Sequence, residues 1–215
     1  MRKVVFFGII TLLLVAMVIE TGNCQPKFKP GLKFGMTLGR QGMSPDPALD
    51  GHSFVVGYCI GLIMERPWGE EWKFSPEFIF VNTGDKLTHT YVGQERTSEF
   101  SNTFINIPLL FRYYLGLDKI KPYLTGGPEL SYLLSATQEP DVQGETDVSE
   151  YYGRSSVGIV LGAGVEYKLT NSPLSLLIEG RFSYGIQDMS NGNPSLSTSP
   201  TIKPRVFLIC TGIKF

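Results

Sequence analysis

The chain has little of what catalytic and metal-binding folds are usually built from. It contains two histidines and three cysteines, and these follow no zinc spacing. Its formal net charge is −1, so it offers no basic footprint for nucleic acid. Charged residues make up only 18% of the chain, below the usual quarter or so, while glycine and aromatic residues are plentiful. That mixture is expected of closely packed strands carrying bulky outward rings. Beyond the first two dozen residues no apolar run is long enough to cross a bilayer as a helix, so any membrane-integrated reading must rest on strands.

The N-terminus is different in kind. Arg2 and Lys3 precede an apolar run from Val4 to Ile19, followed by Thr21, Gly22, Asn23 and Cys24. A basic start, a short apolar core and a small-residue exit predict a secretory signal peptide over residues 1–24, cleaved after Cys24. Acylation of Cys24 is the alternative, but Asn23 beside the cysteine and the lack of a leucine three residues before it fit a lipoprotein signal poorly. The run is also shorter than the ~20 residues of a spanning helix. Residues 25–215 then form one domain.

Within that domain the dominant signal is a period of two. It is plainest from Ile105 to Leu134: Ile105, Ile107, Leu109, Phe111 and Tyr113 share one face, against Asn106, Pro108, Leu110, Arg112 and Tyr114. After a short turn near Asp118 the alternation resumes, with Tyr123, Thr125, Gly127, Glu129 and Ser131 on the polar side. Similar strands are expected at Phe28–Arg40, Ser53–Glu65, Trp72–Val81, Val157–Tyr167, Leu174–Tyr184 and Arg205–Phe215. Eight strands result, and the connections between them alternate long and short. Among the long ones are a polar stretch from Asn82 to about Asn102 and an acidic one from Ser135 to Ser155.

The fold class predicted is all-β: an eight-stranded antiparallel up-and-down transmembrane β-barrel with short periplasmic turns and long extracellular loops. A soluble lipocalin-like barrel would invert the two faces. The charges favour the membrane. Lys33, Lys73, Arg112, Arg181 and Lys214 share the glycine-rich face with Glu77, Glu129, Glu166 and Glu179, a nearly balanced set that can pair inside a narrow lumen. Trp72, Phe74, Phe78, Phe80, Phe182, Tyr184 and Phe215 occupy the other face, where they suit lipid and its interfacial girdles. Arg112 and Glu129 are expected to be interior partners across one strand pair. Pro76, Pro108 and Pro128 fall inside strands paired on both edges, which predicts a bulge near Pro108 or Pro128. Cys59 and Cys210, on the less apolar face, are expected to be buried and unpaired.

The run INIPLLFRYY, with KPYLTGGPELSYLL after it, resembles the PorT-like outer-membrane β-barrel family of Gram-negative bacteria. The signal peptide and the terminal Phe215 are similar to features of that class. The resemblance implies residence in the bacterial outer membrane, with some members linked to secretion systems, and it brings no catalytic residues. The expected role is therefore non-enzymatic, structural or interactive, in contact with outer-membrane lipid and lipopolysaccharide and with envelope or secretion proteins. No nucleic acid is expected as a partner, and the chain should be monomeric. No catalytic, cofactor or metal residue is assigned, and no cofactor is implied. Arg112, Arg181, Glu129 and Glu179 are read as a stabilising lumen network, with a polar path for protons or ions as the alternative use. A lipid- or lipopolysaccharide-modifying enzyme would have to draw on His52, His89, Ser53 and Ser101, which form no recognisable constellation. The acidic stretch from Asp141 to Glu150 lacks the spacing of a calcium loop.

Overall fold

The computed structural model describes residues 28–44, 51–91, 94–116, 119–140, 146–149, 152–190 and 201–215. The signal-peptide expectation and most of the acidic stretch, including Asp141, Glu145 and Glu150, lie outside them. Alternating sequence gives strands β1 Lys29–Ser44, β2 Gly51–Pro67, β3 Trp72–Tyr91, β4 Gln94–Tyr114, β5 Ile120–Pro140, β7 Ser155–Lys168, β8 Ser175–Gly185 and β9 Thr201–Lys214. A two-residue strand, β6 Thr146–Asp147, is added to β5. Neighbours pair antiparallel in chain order, and β1 closes on β9 from Gly31↔Lys214 to Ser44↔Thr201. The Phe215 N–H donates to the Pro30 carbonyl at 2.9 Å and completes the seam. The result is a closed eight-stranded barrel with no free edge, the all-β fold that the alternation predicts.

The faces fall as expected. Lys33, Arg112 and Arg181 are no more than 1% exposed, while Phe34, Leu161 and Ile178 are 62–66% exposed. Only a barrel with its polar face inward gives this inversion of the soluble pattern. The short turns at one end use special backbone: Gly69 (φ 98°) between β2 and β3, and Asn171 (φ 60°) between β7 and β8. Glycine takes such a φ without steric cost, and asparagine tolerates it better than most residues.

Three expectations need correction. The polar stretch from Asn82 to Asn102 is not a loop: β3 and β4 pair in one register from Trp72↔Tyr113 to Tyr91↔Gln94, with a lapse between Pro76↔Leu109 and Ile79↔Asn106, and β2 and β5 flank this hairpin as far as Gly51↔Thr88 and Ser98↔Pro140. Its two faces are both polar beyond Asn82, so the ladder continues after the apolar alternation has ended. The ladder also shows no bulge beside Pro108 or Pro128. Pairing of β4 with β5 lapses between Pro108↔Glu129 and Phe111↔Gly126 but resumes in the same register, and β5 pairs β7 without a shift through Pro128↔Ile159. A lost bridge absorbs the missing donor. The register shifts lie elsewhere, between Val55 and Cys59 against β3 and between Thr103 and Phe104 against β5. Finally, His52, just before the strand expected from Ser53, and His89, inside the expected connection from Asn82 to Asn102, lie in β2 and β3.

Candidate functional site in the lumen

Inward parity brings one side chain from every second residue of each strand toward the axis, and at the short-turn end these are mostly charged. Nearest the mouth, Glu65 of β2 takes hydrogen bonds from Lys214 of β9 at 2.9 and 3.0 Å and from Lys73 of β3 at 2.7 Å. Lys214 also reaches Glu166 of β7. The Tyr114 hydroxyl stands 2.9 Å from Glu65 and 2.7 Å from Glu166, and its single proton serves one carboxylate at a time.

One layer deeper, the Lys33 ammonium donates to Glu77 at 2.9 Å and to Glu179 at 3.0 Å. Arg112 joins the two layers: Nη2 donates to Glu77 at 2.7 Å and Glu179 at 3.1 Å, and Nη1 to Glu65 at 3.2 Å. Arg181 Nη1 donates to Glu77 at 2.8 Å, and the Tyr123 hydroxyl to Glu179 at 2.9 Å. Arg112 also lies 5.0 Å from the centre of the Tyr123 ring, a cation–π contact. Small residues make the room. A Cβ on Gly164 would lie 2.5 Å from the Tyr123 ring, so that glycine is what lets the tyrosine cross the lumen.

Buried charges on this scale hold together only because each is met by several opposite ones, since the desolvation penalty of an unpaired charge is several kcal/mol. Arg112 and Glu129 both point inward, as expected, but they are not each other's partners. Register sets Arg112 opposite Thr125 and Glu129 opposite Pro108. Glu129 instead accepts a hydrogen bond from Ser183, beside a cavity of about 20 Å³ lined also by Asn106, Ser131 and Ser156. That volume holds about one water molecule. Glu65, Tyr114 and Tyr123 are the network members that sequence reasoning did not assign to it. The signal was available for Glu65, which continues the odd-numbered inward row of Cys59, Gly61 and Ile63.

Farther from the short turns the lumen changes character. Ile79, Val81, Phe104, Leu133, Val206 and Leu208 pack together with Cys59 and Cys210. Both cysteines are buried and free, as expected, and their sulfurs lie 3.4 Å apart. Of the residues considered for an enzyme, Ser101 takes a hydrogen bond from Asn82 at 3.3 Å. The backbones of His52 and Ser53 pair with Leu87 and Lys86, and that of His89 with Arg96.

A barrel with an apolar outer wall and a charged, filled lumen is the form of one known family, and residues 23–191 match the sequence profile of the outer membrane protein beta-barrel domain. The chain belongs to that family. This outer-membrane barrel therefore sets its apolar belt in the bacterial outer membrane, with the short turns on the periplasmic side and the long hairpin outside. Its fold is similar to that of Neisserial surface protein A (NspA), at 15% identity and TM-score 0.47, over 86% of this chain and 97% of that one. It is similar also to OprG from Pseudomonas aeruginosa, at 16% identity and TM-score 0.47, over 87% and 95%. A third likeness is to Ail, the attachment invasion locus protein of Yersinia pestis, at 14% identity and TM-score 0.43, over 88% and 99%. No curated protein gives a significant sequence match.

Proposed function

We propose that this outer-membrane barrel is a non-enzymatic, monomeric protein of the PorT-like type, exported by a leader removed after Cys24. It acts through contacts made by its wall and outer loops with lipid, lipopolysaccharide and envelope or secretion proteins, and it does not pass solutes. The observation that carries this reading is the double layer of ion pairs running from Lys214 and Glu65 to Arg181 and Glu77, which occupies the lumen where a channel would run. Eight strands leave an interior that side chains can fill, and here the filling is cross-linked by charge from β1, β2, β3, β4, β8 and β9. The PorT-like assignment rests on the INIPLLFRYY and KPYLTGGPELSYLL runs.

Reconstitution in planar bilayers tests the closed lumen. The expected record is a flat baseline with at most very small conductance, and stable openings on the nanosiemens scale would overturn the proposal. Crosslinking in native membranes should recover an envelope protein attached to the outer loops or wall. Lipid A from cells overproducing the barrel should be unchanged, which separates this reading from that of a lipid-modifying enzyme.

A further inference from the structure

The two interior thiols stand on strands that are not neighbours. β1 runs between β2 and β9, and Gly35 pairs with Cys59 on one side and with Cys210 on the other. The sulfurs meet over the bare backbone of Gly35, where a Cβ would come within 2.7 Å of the Cys210 Cα. Two strand spacings set the cysteine backbones about 9–10 Å apart, whereas a disulfide bridges Cα atoms no more than about 7 Å apart. Joining them would require β2 and β9 to close over β1, against the ladders that hold both. The pair is thus kept as thiols in a compartment where thiols ordinarily oxidise.

Its surroundings are selective. Ile79, Val81 and Leu208 give apolar walls and no oxygen ligand for a hard cation. On the periplasmic side, Lys33, Arg181 and Glu179 act on Cys210 electrostatically. Arg181 spends one nitrogen on Glu77, while its Nε and Nη2 have no hydrogen-bond partner among the described residues, although the side chain is 1% exposed. In the same layers Lys33, Lys73, Arg112, Arg181 and Lys214 face Glu65, Glu77, Glu166 and Glu179, and Glu129 acts on Arg181 from the outer side. A single negative charge on the cysteine pair would be met by Arg181, which acts on Cys210 and has two nitrogens without a hydrogen-bond partner among the described residues.

We propose that Cys59 and Cys210 form a two-coordinate thiolate site for a soft monovalent metal ion of the Cu(I) or Ag(I) class. On binding, each thiol releases its proton to bulk water, two metal–sulfur bonds replace the ion's bonds to water, and the dithiolate complex carries one net negative charge beside the Arg181 guanidinium. Thiolate softness selects such ions over hard ones. With metal–sulfur bonds of about 2.3 Å, as for zinc, the sulfurs separate to at most about 4.6 Å, reached from 3.4 Å by small side-chain rotations.

The test uses the folded barrel in detergent, freed of its leader through Cys24 so that only the interior thiols remain, and Ag(I) as the probe. About one silver ion per barrel should survive dialysis, as expected for a thiolate site, and Cys59→Ser or Cys210→Ser should each abolish retention. X-ray absorption should show two sulfur neighbours around the silver, a readout that stands even where a serine variant fails to fold. Three results would overturn the proposal: no silver on the folded parent, equal retention by a folded serine variant, or oxygen and nitrogen neighbours alone. A Cys59–Cys210 disulfide in the protein isolated from cells would overturn it equally.

Discussion

The periplasmic and outer halves of the lumen are lined by the same strands in the same parity, yet they solve the filling problem by different means. Around Lys33, Glu77, Arg112 and Lys214 the interior is specified by charge, and each group answers to two or more others. Around Ile79, Phe104, Leu133 and Leu208 it is specified by shape. The difference lies in what a lost side chain leaves behind. An apolar truncation leaves a void whose cost scales with its size. Truncation of a cation leaves carboxylates that are buried, charged and unpaired, and a rigid closed barrel gives them no route to water.

The comparison predicts an order of effects in urea unfolding from lipid vesicles. Arg112→Met should be the most damaging, at about 3–5 kcal/mol, because Glu65, Glu77 and Glu179 all lose a partner. Ile79→Ala should cost about 3 kcal/mol, within the range for large-to-small changes in a packed core. If it cost more than Arg112→Met, the contrast between the two halves would collapse. Tyr114→Phe should cost about 1.5–3 kcal/mol, the worth of a hydrogen bond to a charged group, and a Glu166→Gln change made with it should show non-additivity.

The smallest effect should come from outside the membrane. The Asp147 carboxyl is held below the usual carboxylate range, first by the Ser149 side chain and then by its backbone N–H. A depressed folded value means that the contact stabilises above the ordinary aspartate range and is lost as pH falls through that lower value. Acidification or Asp147→Asn should therefore speed amide exchange at Ser149 while leaving the barrel's unfolding midpoint unchanged.

How far the sequence carried depends on which physical signal each feature left. Inward and outward rows were legible because lipid on one side and charge on the other impose a period of two on each membrane-spanning stretch. The hairpin beyond Asn82 was not, since its inner face buries polar residues such as Thr83, Asp85 and Asn102, and the apolar alternation disappears while the ladder continues. The partner of Arg112 was misread because cross-strand register depends on the β4–β5 turn, and a displacement of four residues moves Glu129 to a different layer. The meeting of Cys59 with Cys210 needed both registers of β1, and residue identity in either strand alone does not contain it.

One dimension of that hairpin bears on what the outside world encounters. β3 and β4 have 20 and 21 residues, so at about 3.3 Å per residue and a tilt near 40° each climbs about 50 Å, roughly twice the ~25 Å apolar band of such a barrel. The upper part of the hairpin clears the lipid surface with β2 and β5 paired alongside it as far as Gly51↔Thr88 and Ser98↔Pro140. An antibody, a phage or a neighbouring cell descending on this membrane would meet a wall of paired strands before it met lipid.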